Sequence, residues 1–166
     1  MITPAFVQTM AAYNGALNQA VYAAAARLSD TARREDRGAF WHSIHGTLSH
    51  LVWADQMWMS RFDGWEKPET GMRDSDGYVA DFGAMHTVRS TMDARLAEWA
   101  ERVGQHWLDQ EMRWFSGAAQ QDVVRPRALV VMHLFNHQTH HRGQAHAMIT
   151  AAGEQTGPTD LPLVIG

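Results

Sequence analysis

Residues 127–152 decide the fold, and they read RALVVMHLFNHQTHHRGQAHAMITAA. Pro126 precedes them and suits a first helical turn, while Gly153 follows them and is typical of a helix end. Apolar residues recur at intervals of three and four, interrupted by two histidines, which predicts one helix with a single apolar face. That face consists of Val130, Leu134, Ala145, Met148 and Ala152.

His137 and His141 occupy the places on this face where the apolar pattern is interrupted. Their four-residue spacing stacks two imidazoles one turn apart on the side that faces the core. Burying an unpaired polar group costs about 1–3 kcal/mol, so each ring needs a hydrogen-bond partner or a metal ion. Neutral imidazole is a good ligand for zinc, nickel or iron. The spacing alone leaves both explanations open.

Three further segments have the period of amphipathic helices, and they cover roughly residues 3–29, residues 38–62 and residues from Ser75 or Asp76 to about 103. Their apolar positions are, in chain order, Phe6, Met10, Tyr13, Leu17, Ala20, Ala24 and Leu28; Phe40, Ile44, Thr47, Leu51, Ala54 and Trp58; and Tyr78, Phe82, Met85, Met92, Leu96, Trp99 and Val103. Four such helices predict an all-α protein, a four-helix bundle that forms a single domain over residues 1–166.

The segments between and after the helices also contain patterns that predict their structure. Residues 63–76 contain glycines, a proline and several acids, which predicts a loop. Residues 105–125 lack a clean helical period and contain a Ser-Gly turn signal, which predicts a short irregular hairpin before the last helix. The tail from Thr156 is predicted to be extended, with its apolar residues packed back on the bundle; these are Leu161, Leu163, Val164 and Ile165.

A third metal ligand is expected on another helix, because catalytic zinc sites commonly use three protein ligands and a water molecule. His50 is the best candidate, since it lies mid-helix at the edge of the second apolar stripe. A lone histidine in such a place is more often a hydrogen-bonded core residue. The remaining histidines are interpreted as surface or packing residues, except that His133 could be an alternative ligand or could orient one. Asp55 could orient a ligand or pair with an arginine.

Composition excludes several classes. The chain has no cysteine, which excludes thiolate metal sites and disulfides, and its net charge of -4 argues against a nucleic-acid partner. It has no apolar run of membrane-spanning length and no secretory signal pattern, so no membrane association and a cytoplasmic location are expected. It also lacks the His-Glu-x-x-His motif of zinc proteases, the paired Glu-x-x-His motifs of di-iron bundles and the Gly-x-Ser-x-Gly elbow of hydrolases.

Several blocks of the sequence resemble the DinB family. They are residues 134–144 (LFNHQTHHRGQ), residues 46–55 (GTLSHLVWAD) with the following Trp58, Arg61 and Phe62, residues 157–161 (GPTDL), and the first-helix residues Tyr13, Asn14, Asn18 and Tyr22. The resemblance implies a four-helix bundle, often dimeric, with a three-histidine metal site formed by His50, His137 and His141. One departure is His140, which stands where a tyrosine often precedes the last ligand.

The resemblance leaves two functional interpretations. In the first, the protein is a metal-dependent enzyme with chemistry like that of thiol S-transferases or hydrolases, acting on a small molecule such as a low-molecular-weight thiol. In the second, it is a non-enzymatic stress-response protein with a structural or sensory metal. The expected cofactor is a divalent ion, zinc or nickel first and iron or manganese as alternatives, and the expected assembly is a homodimer. The sequence identifies no catalytic residue.

Overall fold

The computed structural model describes residues 1–117 and 119–165. The chain is mostly helical with a small two-stranded sheet, in broad agreement with the predicted all-α class. The helices are α1 (Pro4–Ala26), α2 (Asp30–Arg34), α3 (Ile44–Phe62), α4 (Phe82–Arg102), α5 (Gln105–Leu108), α6 (Arg127–Ala151) and α7 (Leu161–Val164), and the strands are β1 (Glu111–Ser116) and β2 (Gln121–Pro126). Across these two ranges, no helix combines the length and the apolar character that crossing a membrane requires.

The four long helices α1, α3, α4 and α6 enclose one apolar core. Helix α1 packs against α4 and α6, and α3 packs against the same two helices. All four contribute fully buried aliphatic side chains, among them Val7, Ile44, Leu96, Leu134 and Ile149. Each such side chain stabilises the fold by about 1.5–3 kcal/mol relative to exposure.

The last long helix ends where the sequence predicts. Gly153 has a φ of +94°, and its amide donates to the carbonyl of Thr150. The amide of Glu154 donates to the carbonyl of Ile149, which completes the paired hydrogen bonds of a Schellman motif. The hairpin is confirmed as well, since β1 and β2 pair antiparallel with Trp114 opposite Val123.

The predicted start of α3 near Gly38 is wrong. Ala39 and His42 form a tight bridge, and His42 has a φ of 61°, so the chain turns sharply before the helix. The hydroxyl of Ser43 then accepts a hydrogen bond from the amide of Gly46 and caps the first turn. Phe40 therefore lies outside the helix, and it is 71% exposed instead of joining the apolar stripe.

The predicted start of α4 at Ser75 or Asp76 is also wrong. Both residues belong to a 3₁₀ turn, Met72–Gly77, and the helix begins at Phe82. Asp81 caps it by accepting from the amide of Ala84 at 2.7 Å. The connection between α3 and α4 therefore covers residues 63–81 and contributes the 3₁₀ turn to the molecule.

Two predicted packing contacts are replaced by others. Phe6 is 37% exposed, and the buried face of the first turns of α1 is instead formed by Val7 and Ala11. The tail, which is predicted to be extended, forms the short helix α7, and its Leu163 is 71% exposed. A hydrogen bond from the Tyr13 hydroxyl to the carbonyl of Thr159 fastens the tail to α1.

A chain of buried polar groups joins the four long helices. Arg89 of α4 donates to Asp55 of α3 at 2.7 Å, and it also lies 2.8 Å from Asp93. Asn18 of α1 donates to Asp93 at 2.9 Å and accepts from Arg142 of α6. Two carboxylates and two guanidinium groups thus lie in the core together. We refer to this set, with Asn14, as the core polar chain.

Removing Arg89 is expected to destabilise the protein strongly. In Arg89→Met the carboxylate of Asp55, which is 0% exposed, loses its ion pair, and breaking a buried pair in this way costs about 3–5 kcal/mol. Urea unfolding measures the loss. The matched control is Arg102→Met, which removes an exposed pair with Asp63 and should cost less than about 1 kcal/mol. Equal losses in the two variants would contradict the role given to Arg89.

Candidate metal centre

Helices α3 and α6 bring the three predicted histidines together. His50 lies in the middle of α3, His137 and His141 lie one turn apart on α6, and these two helices pack against each other. One nitrogen from each ring lies within 4.8 Å of the other two, so the group could hold a metal ion. His50 and His141 are buried and His137 is partly exposed.

The spacing of the nitrogens fits a shared ion. Nε2 of His50 lies 3.2 Å from Nε2 of His137. With zinc–nitrogen bonds of about 2.0–2.1 Å in a tetrahedral site, two ligand nitrogens are about 3.3 Å apart. The two Nε2 atoms are therefore already separated by the distance that such an ion requires.

Hydrogen bonds determine which nitrogen of His50 has a lone pair. The hydroxyl of Ser75 donates to the carbonyl of Met72 at 2.7 Å, and its oxygen lies 2.8 Å from Nδ1 of His50. Because the hydroxyl has a single proton, Nδ1 of His50 must be the donor in the second contact. Nε2 of His50 is then the unprotonated nitrogen, and it faces the other two rings.

His141 is oriented in the same way. Its Nδ1 lies 2.8 Å from the amide oxygen of Gln144, which can only accept, so Nε2 again has the lone pair. Nδ1 of His137 is buried without a hydrogen-bond partner among the described residues. Such outer contacts fix the orientation of metal-binding imidazoles in proteins generally. The Nε2 atoms of His50 and His141 therefore have lone pairs, and the three rings lie close enough together to share a divalent ion.

Burial keeps the rings neutral. Loss of solvent, together with a smaller effect of the neighbouring rings in the same direction, lowers the pKa of both His50 and His137 to about 3. Burial also lowers the pKa of His141. A metal ion binds only deprotonated imidazole, so near neutral pH these rings do not have to release protons before binding.

The indole of Trp41 lies against the site. It stacks on the ring of His50 with centroids 4.1 Å apart. This approach depends on Gly46, because a Cβ at that position would come within 2.4 Å of the Trp41 carbonyl oxygen. Glycine at position 46 thus allows the tight turn before α3 to pack against the first turn of the helix.

The histidines lie in the wall of an open pocket of about 430 Å³. Its other lining residues come from the turn before α3 and from the 3₁₀ turn; they are Phe40, Trp41, His42, Met72, Arg73 and Asp76. The sequence assigned none of these six to a site, because nothing in their spacing connects them with α6. Ser75 and Gln144 were likewise missed as partners of the histidines, although Gln144 lies three residues after His141 and its position is compatible with contact on one helix face.

The residues whose roles the sequence left open are now placed. Asp55 pairs with Arg89 and does not orient a ligand. His133 is exposed, lies edge-on to Trp58, and is outside the group that could share an ion. His140 is exposed beside Gln144. Among the histidines interpreted as surface or packing residues, His45 is buried and contacts the carbonyl of Val79 at 2.9 Å.

Ser75→Ala is expected to weaken metal binding by about 10–100-fold, because His50 loses the acceptor that fixes its tautomer and orientation. Titration with zinc against a chelating indicator measures the affinity, and one ion per chain should still bind at saturation. The control is Ser90→Ala, which changes an exposed serine that only contacts the carbonyl of His86. Equal affinities in the two variants would contradict the role of Ser75.

Acidification is expected to destabilise the metal-free protein. Histidines in the unfolded chain bind protons below pH about 6.5, whereas the pKa values of folded His50 and His137 are about 3. Between these values the unfolded state binds more protons, so the free energy of unfolding falls as the pH falls. Urea unfolding at pH 7 and pH 5 measures the change. A double variant, His50→Gln with His137→Gln, should lose less stability over this interval, and an unchanged loss would exclude these histidines as the cause.

One comparison with known proteins identifies a family. Residues 1–165 match the model of the DinB family, which covers essentially the whole chain. No curated protein and no solved structure matches the sequence. The match includes both helices that supply the three histidines. The chain belongs to the DinB family.

Proposed function

We propose that the protein is a metal-dependent enzyme that acts on a small molecule. Its chemistry would resemble that of thiol S-transferases or, as an alternative reaction at the same site, that of hydrolases. The observation that carries this proposal is the placement of three neutral, converging imidazoles in the wall of an open pocket of about 430 Å³. A purely structural ion is usually enclosed by four protein ligands. Here only three histidines form the group among the described residues, and the space beside them is open.

The donor set suits zinc or nickel, with iron and manganese as alternatives. His50, His137 and His141 would hold the ion. When bound to neutral ligands, a divalent ion keeps its positive charge and lowers the pKa of a thiol or water that it coordinates. This chemistry favours a low-molecular-weight thiol as one substrate.

The lining residues determine the charge and the polarity of the pocket. Arg73 is exposed at the pocket lining and could bind an anionic group of a substrate, while Asp76 could accept a hydrogen bond there. The indole of Trp41 covers one face of His50 and shields it from water. Phe40 and Met72 add apolar surface to the lining. The pocket therefore suits a small substrate that has an apolar part and a negative charge.

Other expectations are part of the same proposal. The four long helices form a four-helix bundle in which each packs against two others, in keeping with the contacts of α1 and α3. Residues 1–166 form one domain. Resemblance to the family supports a homodimer, and we place the protein in the cytoplasm. Light scattering of the purified full chain tests the dimer directly.

Metal-loaded protein is expected to catalyse the reaction of cysteine or mercaptoethanol with 1-chloro-2,4-dinitrobenzene. The sulfur forms a bond to the ring carbon, chloride leaves, and the thiol proton passes to buffer. Absorbance of the thioether product measures the rate. A chelator should abolish the enzymatic rate, and His137→Ala should lower it by at least about 100-fold, because removing a ligand removes the ion that activates the thiol.

The matched control is His106→Ala, which changes an exposed histidine of α5 that does not line the pocket and should leave the rate unchanged. Metal content is measured for each protein by plasma emission. If the loaded protein binds one ion tightly and yet turns over neither thiols nor ester substrates, the enzyme proposal fails. A structural or sensory metal would then be the function that remains.

A further inference from the structure

A second pocket lies away from the metal centre, between α1, α6 and the C-terminal tail. Its volume is about 240 Å³, and it shares no lining residue with the metal pocket. Tyr13, Leu17 and Val21 of α1 line one side, and Arg142 of α6 lines the other. The tail supplies Thr156 and Thr159.

Arg142 is an unusual cation for such a place. It is only 4% exposed, and its hydrogen bonds within the described residues all leave from one nitrogen, Nη1. Their acceptors are the neutral side-chain amide oxygens of Asn14, Asn18 and Gln138. Of the carboxylates that the structure describes, none forms an ion pair with Arg142 within 4.0 Å.

The other donors of the guanidinium remain for a ligand. Nε and Nη2 form the side edge of the planar group, which matches the two oxygens of a carboxylate. Burying a cation is costly unless an anion offsets it. The neutral amides around Arg142 satisfy Nη1 without supplying a negative charge, so a carboxylate at the free edge would stabilise the protein as well as bind to it.

The rest of the lining selects among anions. No acidic side chain lines this pocket in the part of the chain that the structure describes, so nothing repels a negative ligand. Leu17 and Val21 offer an apolar wall, which suits a hydrocarbon chain better than it suits inorganic phosphate. Thr139 and Thr159 lie at the same pocket.

The tail is held over this pocket by two hydrogen bonds. The imidazole of His146 contacts the hydroxyl of Thr156, and the hydroxyl of Tyr13 donates to the carbonyl of Thr159. Both contacts use pocket residues from the long helices to fix residues of the tail. The enclosure is therefore built from three separate parts of the chain, α1, α6 and the segment after Gly153.

From this we propose that the pocket binds a small organic carboxylate, with the carboxylate on the side edge of Arg142 and the carbon chain against Leu17 and Val21. The size of the pocket limits the ligand to a few carbon atoms, as in a short aliphatic acid. The site is independent of the three histidines and of the chemistry proposed for them.

Butyrate is the probe, and butyramide is its uncharged counterpart of nearly the same shape. Calorimetric titration of the full-length protein should give a saturable Kd of about 1 mM for butyrate. Butyramide should bind at least about tenfold more weakly, because it has no negative charge to pair with the guanidinium of Arg142. The same Kd is expected for chelator-treated and metal-loaded protein.

Gly143→Leu tests the location without touching Arg142. Gly143 lies at the pocket in α6, a Cβ there would meet nothing within 4 Å, and leucine is a better helix former than glycine. The variant should bind butyrate at least about tenfold more weakly because its side chain takes up pocket space. The control is Ala147→Leu, one turn further along the same helix on an exposed position, which should bind normally.

Three results would overturn the proposal. One is an absence of saturable butyrate binding, including a case in which inorganic phosphate binds instead. The second is binding that disappears when the metal is removed, because butyrate would then be occupying the metal pocket. The third is equal affinity in Gly143→Leu and Ala147→Leu. Arg142→Gln should also lose binding, and circular dichroism establishes whether that variant is folded.

Discussion

Arg89 lies in the core between Asp55 and Asp93, and the packing of the four long helices depends on this ion-paired group. The guanidinium is 2% exposed and Asp55 is 0% exposed, so neither charge is solvated by bulk water. Burial raises the pKa of Asp93 and, at the far end of the core polar chain, lowers the pKa of Arg142 to about 10. Each group is stable only while its neighbours keep their positions. The apolar core supplies most of the free energy of folding, and the core polar chain restricts the ways in which the helices can meet.

Much of the helical organisation of the protein can be predicted from the sequence, because helices leave a periodic pattern of apolar residues. The helical period of the four long segments, the glycine after α6 and the broken period before it are local signals, and the structure agrees with them. The juxtaposition of His137 with His141 follows from four-residue spacing alone. His50 required the resemblance to a family as well, since its helix is buried on nearly all sides from Ile44 to Asp55 and its apolar stripe singles out no residue.

Other features depend on contacts between distant segments, and no local pattern reports them. Ser75 appears in the sequence as a possible helix cap, yet its hydroxyl is taken by the carbonyl of Met72 and by His50. Phe40 fits a helical stripe by spacing, but the turn at His42 comes first and exposes it. In the sequence, Arg142 is simply the residue that follows the predicted ligand His141. Only the fold shows that it faces away from the histidines and into the core.

In helix α6, residues that face the metal pocket alternate with residues that are buried in the core. This alternation restricts where a residue can be inserted into the chain or deleted from it. His137 and His141 face the metal pocket, whereas the residues directly after each of them, Gln138 and Arg142, are buried and belong to or border the core polar chain. One inserted or deleted residue between these pairs would rotate the rest of the helix by about 100°. One histidine would then no longer face the metal pocket, and Arg142 would lose its hydrogen bonds to the side-chain amides. Length variation among related chains should therefore collect in residues 63–71 and in the hairpin turn, and the spacing within α6 should be constant.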